Sequence, residues 1–166
     1  MTETLMADVT DHRAPTTESV ELQRVAKLLG GPRVLKRRLK TSLDAHEMLL
    51  KGLPGQALSH LVANIMILHR TASFEKAVGM SVRTFQRRKG TPAKPLSQEQ
   101  SGRTWKFAEI LAKATAVLGS QEEAEQWLER PAMGLNRRRP IDLLATPAGV
   151  ELVEDFLGRL EYGVYA

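Results

Sequence analysis

Seven polar side chains crowd the nine positions from Ser81 to Lys89: Ser81, Arg83, Thr84, Gln86, Arg87, Arg88 and Lys89. Guanidinium and ammonium groups donate to phosphate oxygens, and Arg and Gln also reach the edges of bases. This is the chemistry of holding a polyanion rather than of making or breaking a bond. A solvated basic helix face would use the same residues, and composition does not separate the two readings. A second cationic run, Arg137-Arg138-Arg139, fits an acidic protein surface or an exposed turn equally well. Trp127 and the chain's only tyrosines, Tyr162 and Tyr165, are of the types that anchor protein interfaces.

Nothing comparable points to catalysis. The chain has no cysteine, which removes disulfides and thiolate metal sites. Its four histidines, His12, His46, His60 and His69, lack ligand spacing. Gly30-Gly31-Pro32 is a helix stop more simply than a phosphate loop. Glu122-Glu123-x-Glu125 is an acidic helix start, where carboxylates suit the macrodipole. No Gly-x-Ser-x-Gly or His-Glu-x-x-His appears. No catalytic residue, metal or cofactor is expected, so the chain is not expected to be an enzyme.

The net charge of +5 over 166 residues is unevenly spread. Residues 1–20 carry −3, residues 21–90 set 14 Lys and Arg against 4 Asp and Glu, and residues 91–166 carry −2. A polyanion partner for the middle segment and a plain solvated basic surface fit this distribution equally well. Hydrophobic residues make up 42% and charged residues 26%, which fits a soluble globular protein. No apolar run approaches the ~18 residues of a membrane span. The N-terminus does not read as a signal peptide, so no membrane partner and a cytoplasmic location are expected.

Helical spacing organises the chain, and no useful length alternates with period two. Leu22, Val25 and Leu29 stripe a first helix, and Leu43 to Leu50 form a short one stopped by Gly52-Leu53-Pro54. Leu58, Leu61, Val62, Ile65 and Leu68 read as one continuous buried stripe. Phe107, Ile110, Leu111, Ala114, Val117 and Leu118 stripe a long helix ended by Gly119. Ser120 and Glu123 read as a capping box for the helix bearing Trp127. Thr146-Pro147 opens a last helix striped by Val150, Val153, Leu157 and Leu160.

Thr71 to Lys89 resembles a helix-turn-helix. Phe74, Ala77 and Val78 would pack its first helix, Gly79 would make the left-handed turn, and Ser81 would cap the second. Phe85 points to the core in this reading, and Ser81 with the helix N-terminus could hold one phosphate. Glu75 departs from the pattern, because a small residue often sits four positions before the turn glycine.

The C-terminal landmarks come in an ordered set: Trp127-Leu128, the Leu-x-x-x-x-Pro step from Leu135 to Pro140, and the Leu-Leu-x-Thr-x-x-Gly step from Leu143 to Gly149. A short tail follows. Together they resemble the toxin-binding module of the MbcA/ParS/Xre antitoxins. Residues 52–118 are similar to the Cro/C1-like region of those proteins, through Gly-Leu-Pro (52–54), Gly-Met-Ser-x-Arg-Thr (79–84), Arg-Arg (87–88) and Leu-Ser-x-Glu-x-Ser (96–101). Residues 1–42 carry no such likeness.

The resemblance implies an all-α fold with a helix-turn-helix domain and a small helical toxin-binding and dimerisation domain. We read residues 1–18 as a disordered arm, 19–95 as the DNA-binding domain and 96–166 as the second domain. It implies an antitoxin that neutralises a RES-domain, NAD-degrading toxin and represses its own operon by binding promoter DNA. The tail Tyr162, Gly163, Val164, Tyr165 and Ala166 would block the toxin's active site, with Trp127 and Arg137, Arg138 and Arg139 also in contact; a frayed tail is the plainer alternative. A homodimer through the C-terminal half is expected, because the stripes of residues 104–118 and 147–160 exceed what a small helical domain covers alone. Two other functions remain open: a free-standing helix-turn-helix regulator without a toxin partner, and an adaptor for a protein other than a RES toxin.

Overall fold

The computed structural model describes residues 14–163, and the regular elements among them are all helical. The first, α1 (Thr17–Leu28), starts on Thr16, whose hydroxyl accepts the Ser19 amide. Thr17 and Glu18, read from sequence as part of an arm, are thus the first turn of a helix. That turn faces solvent and carries no apolar period, so spacing could not reveal it; residues 1–13 of the expected arm lie outside the described residues. Leu22, Val25 and Leu29 are buried as expected. Gly30, in the left-handed region at φ +100°, turns the chain into α2 (Gly31–Leu35), which Pro32 opens.

The next helices are α3 (Ser42–Lys51), started by a full capping box between Thr41 and Asp44, and α4 (Gly55–Asn64). The stripe from Leu58 to Leu68 identifies core residues but not one helix. Ile65 is extended, and Met66–His69 form a separate 3-10 turn. The reason lies far along the chain: the amide of Ile67 donates at 3.0 Å to the Glu125 carboxylate. Glu125 is only 6% exposed, and it also accepts from Gln121. Leu58, Leu61, Ile65 and Leu68 remain buried across the break.

After α5 (Thr71–Val78) and α6 (Val82–Arg88), α7 (Gln98–Leu118) runs through the middle of the molecule. It packs on α1, α3 and α5 on one side and on α8 (Gln121–Glu129) and α10 (Pro147–Glu161) on the other. Its buried side chains include Trp105 and Ala108 as well as the expected Phe107, Ile110, Leu111 and Ala114. Lys106 ties it to α10 through Glu154 at 2.9 Å and to its own Glu109 at 2.7 Å. Burial works against the Lys106 ammonium, but the two carboxylates outweigh it and hold its pKa above the ordinary lysine value. Ser120 caps α8 by accepting the Glu123 amide; the return contact from the Glu123 side chain is not seen. Ser97 and Gln100 make the complete box instead, at the start of α7.

The short α9 (Pro140–Leu143) delivers the chain to α10, which Thr146 caps and Pro147 opens. Val153, Phe156 and Leu157 of α10 are buried with the α7 stripe in one continuous core. Much of both apolar stripes is covered within one chain, while Leu118, Val150 and Leu160 are only partly buried.

Candidate functional site

The helix-turn-helix forms as the spacing requires. Phe74, Ala77 and Val78 of α5 and Phe85 of α6 are buried, and the rings of Phe74 and Phe85 meet at 5.2 Å. Gly79 turns the chain at φ +74°. A Cβ there would come within 2.5 Å of the Arg103 guanidinium, which α7 lays against the turn and which donates to the Lys76 carbonyl. Glu75 does not separate the two helices. It is exposed, and its carboxylate accepts the Val82 amide at 3.4 Å, while the Ser81 hydroxyl accepts that of Thr84 at 3.1 Å. Two first-turn donors of α6 thus already face a carboxylate and a hydroxyl.

The seven polar residues of this run divide into different roles. Arg83, Gln86 and Arg87 point to solvent, and their side chains make no hydrogen bond or ion pair with other described residues. Their i, i+3, i+4 spacing puts them on one face of α6. Ser81 and Thr84 are spent on the helix start, the Ser81 hydroxyl donating to the Thr84 hydroxyl at 3.0 Å. Arg88, expected on the DNA side, turns inward: its guanidinium donates to the Pro95 carbonyl at 3.0 Å. Lys89 lies on the Phe85 side, its ammonium 5.2 Å from that ring's centre, as a residue four positions on must.

The expected partner-binding residues are likewise split. Trp127 is half-buried and stacks on Phe156 at 5.9 Å, so it supports the core edge as much as any surface. Arg139 is committed inside the chain, donating from Nε and Nη2 to Asp142 at 2.9 Å each. Lys76 of α5 reaches the same carboxylate. The Arg139 hydrogen bonds hold the Asp142 carboxyl below the usual carboxylate range; burial opposes this and Lys76 adds to it. Arg137 and Arg138 are exposed on a turn in which Asn136 and Arg137 are both left-handed, at φ +57° and +58°. Tyr162, at the end of α10, is 80% exposed, and Gly163 follows at φ +65°. Val164, Tyr165 and Ala166 lie outside the described residues.

Two exposed apolar side chains in the C-terminal part were not singled out from sequence: Met133, 77% exposed, and Leu152, 53% exposed. Leu152, Arg159 and Tyr162 share one side of α10 at i, i+7 and i+10, a spacing that was legible. The Lys76–Asp142 link was not, because its partners lie 66 positions apart. Ser73 and Arg70 bind Glu129 of α8 across a similar gap. These pairs fasten the helix-turn-helix to the C-terminal helices. Among the described residues no group of three His, Asp or Glu is placed to hold a metal ion, and no helix is long and apolar enough to cross a membrane.

Two family models match this chain. Residues 113–163 match the family model described as the antitoxin Xre/MbcA/ParS C-terminal toxin-binding domain. Residues 44–109 match the antitoxin Xre-like helix-turn-helix domain. The two matches meet inside α7. The chain is 31% identical over 130 residues to an antitoxin Xre of Yersinia enterocolitica, covering 69% of this chain and 87% of that one. It is 29% identical over 90 residues to an antitoxin Xre of Photorhabdus laumondii, covering 54% of this chain and 60% of that one. A third antitoxin Xre, from Pseudomonas putida, is 33% identical over 69 residues, 42% of this chain and 43% of its own.

Proposed function

Since the chain belongs to the Xre/MbcA/ParS family of antitoxins, we propose that it silences a RES-domain, NAD-degrading toxin and represses its own operon. Its two domains are those of a binding protein and not of an enzyme. The toxin is engaged by the outer side of α10 and its continuation, with Tyr162 as the anchor and the segment to Ala166 reaching the toxin's substrate mouth.

The observation that carries this reading is the state of Tyr162. A large aromatic ring stands 80% exposed at the end of the toxin-binding domain, beyond Leu157, the last fully buried residue of α10. Leu152 on the same side widens the apolar patch, and aromatic anchors dominate interface energetics. Promoter DNA is held by Arg83, Gln86 and Arg87. Two chains brought together on one toxin assembly would present two helix-turn-helix units to a palindromic site and gain affinity through effective concentration.

The experiment is NAD consumption by the co-purified pair. Deleting Tyr162 to Ala166 should release toxin activity without unfolding the antitoxin, since the deleted residues contribute nothing to the buried core among those described. Full inhibition by the truncated chain at equal occupancy would refute the tail's role and move it to the Arg137–Arg138 turn.

A further inference from the structure

We propose that the loop from Lys89 to Pro95 is a second contact to the DNA backbone, made through Thr91 and Lys94, and that Arg88 is its positioning residue. This rests on the DNA-binding reading of α6 and extends it to residues that no comparison assigns.

The loop leaves directly from the C-terminal end of α6, a helix only about 10 Å long at 1.5 Å per residue. It therefore begins within two residues of Arg87. Thr91 and Lys94 are exposed on it, and their side chains make no hydrogen bond or ion pair with other described residues. An exposed loop is ordinarily mobile and would lose entropy on binding. This one is tied down along its length. The Thr91 amide donates to the Arg88 carbonyl at 2.9 Å, and that of Lys94 to the Thr91 carbonyl at 3.0 Å. Gln56, at the start of α4, donates to the Pro92 carbonyl at 3.1 Å, and Leu96 to the Leu53 carbonyl at 2.8 Å.

The bed under the loop is glycine at both points of closest approach. A Cβ on Gly55 would lie 2.9 Å from the Pro92 carbonyl oxygen and 3.1 Å from that of Lys94. One on Gly52 would lie 2.3 Å from the Leu96 carbonyl oxygen. A side chain at either position would lift the loop away from the domain. Arg88 closes the far end, where the Pro95 carbonyl is the one acceptor its guanidinium meets among the described residues.

The test is a titration of the full-length protein, across a range of salt concentrations, against two duplexes. One carries the DNA immediately upstream of the chain's own gene, and the other a scrambled sequence of equal length. Lys94→Gln should weaken binding to both duplexes alike and reduce the salt slope by about 0.9, the value for one lost phosphate contact. Thr91→Ala should weaken both without changing the slope. Arg83→Gln with Arg87→Gln should flatten the slope further, by about 1.8, and also erase the preference for the upstream duplex. Arg88→Gln should combine the losses of Lys94→Gln and Thr91→Ala, with the slope reduced by about 0.9, and should speed amide exchange at Thr91 and Lys94. The double variant Arg88→Gln, Lys94→Gln should be no weaker than Arg88→Gln alone.

An unchanged affinity and slope in Lys94→Gln, beside a defective Arg83→Gln, Arg87→Gln protein, overturns the loop contact and leaves α6 standing. Additive losses in the double variant, with a slope reduced by about 1.8, make Arg88 a direct phosphate ligand and overturn its positioning role. Parent-like binding by the Arg83→Gln, Arg87→Gln protein overturns the DNA reading itself, and the loop contact with it.

Discussion

Replacing Gly149 with alanine should unlock the C-terminal domain. Gly149 lies in the first turn of α10, where α10 and the end of α9 are closest. An added Cβ would sit 1.9 Å from the Leu143 carbonyl oxygen, 2.8 Å from its carbon and 3.0 Å from its Cα. All three are backbone atoms, so no change of rotamer relieves the clash. With carbon contacts normally near ~3.5 Å, α10 must retreat by roughly 1.5 Å. That movement opens the layer where Ile141 and Leu144 meet Val153 and Leu157, all now buried. Overpacking of this kind costs about 1–3 kcal/mol, and a rigid backbone obstacle places it at about 3 kcal/mol. For a chain of this length the melting temperature should fall by about 6–12 °C.

Gly102 is the control. It lies inside α7, and a Cβ there meets nothing within 4 Å. Gly102→Ala should therefore stabilise the protein by about 0.5–1 kcal/mol through helix propensity alone. Thermal unfolding followed by circular dichroism reads both variants. A Gly149→Ala protein melting within about 1 °C of the parent, where ~6 °C or more is expected, would refute the close approach and with it the reason for the Leu-Leu-x-Thr-x-x-Gly step.

Three further outcomes are expected. Neutralising Arg83 and Arg87 with glutamine should flatten the salt dependence of promoter binding by about 1.8, with toxin inhibition retained; an unchanged slope in a filter-binding titration would reject the outward face of α6 as the contact. Asp142→Asn should destabilise the protein at neutral pH. The folded-state pKa of Asp142 is lowered, so its contribution is present above the unfolded value near ~4 and is lost as pH falls through the lower folded value. The gap between parent and variant should therefore close below about pH 4 in acid-denaturation curves, and a constant gap would count against the Arg139–Asp142–Lys76 link. Glu125→Ala leaves the buried Ile67 amide without its acceptor and should cost about 1–3 kcal/mol; hydrogen exchange at Ile67 no faster than in the parent would mean that the carboxylate does not set the break after α4.

Local spacing was enough to find most helices and the core. Leu22, Ile110 and Leu157 were assigned to the interior from apolar period, and Phe74 and Phe85 from the likeness to a helix-turn-helix; all are buried. The caps at Ser81 and Thr146 and the left-handed turn at Gly79 were equally legible, because each is a property of a few consecutive residues. The family likeness followed from ordered local steps of the same kind. What spacing could not supply was the fate of individual polar side chains. Arg88 and Arg87 are neighbours of similar chemistry, yet a carbonyl at Pro95 draws one inward while the other faces solvent. Glu125 looked like part of an acidic helix start and instead breaks a helix 58 positions away, by accepting the Ile67 amide. The stripes of α7 and α10 could not show how much of each is covered inside the chain, and the fold packs their central residues into one core. Period fixes which face of a helix is apolar, since that depends on 3.6 residues per turn. Which donor, acceptor or core wall that face then meets depends on segments brought together only by the tertiary structure, where no local pattern records them.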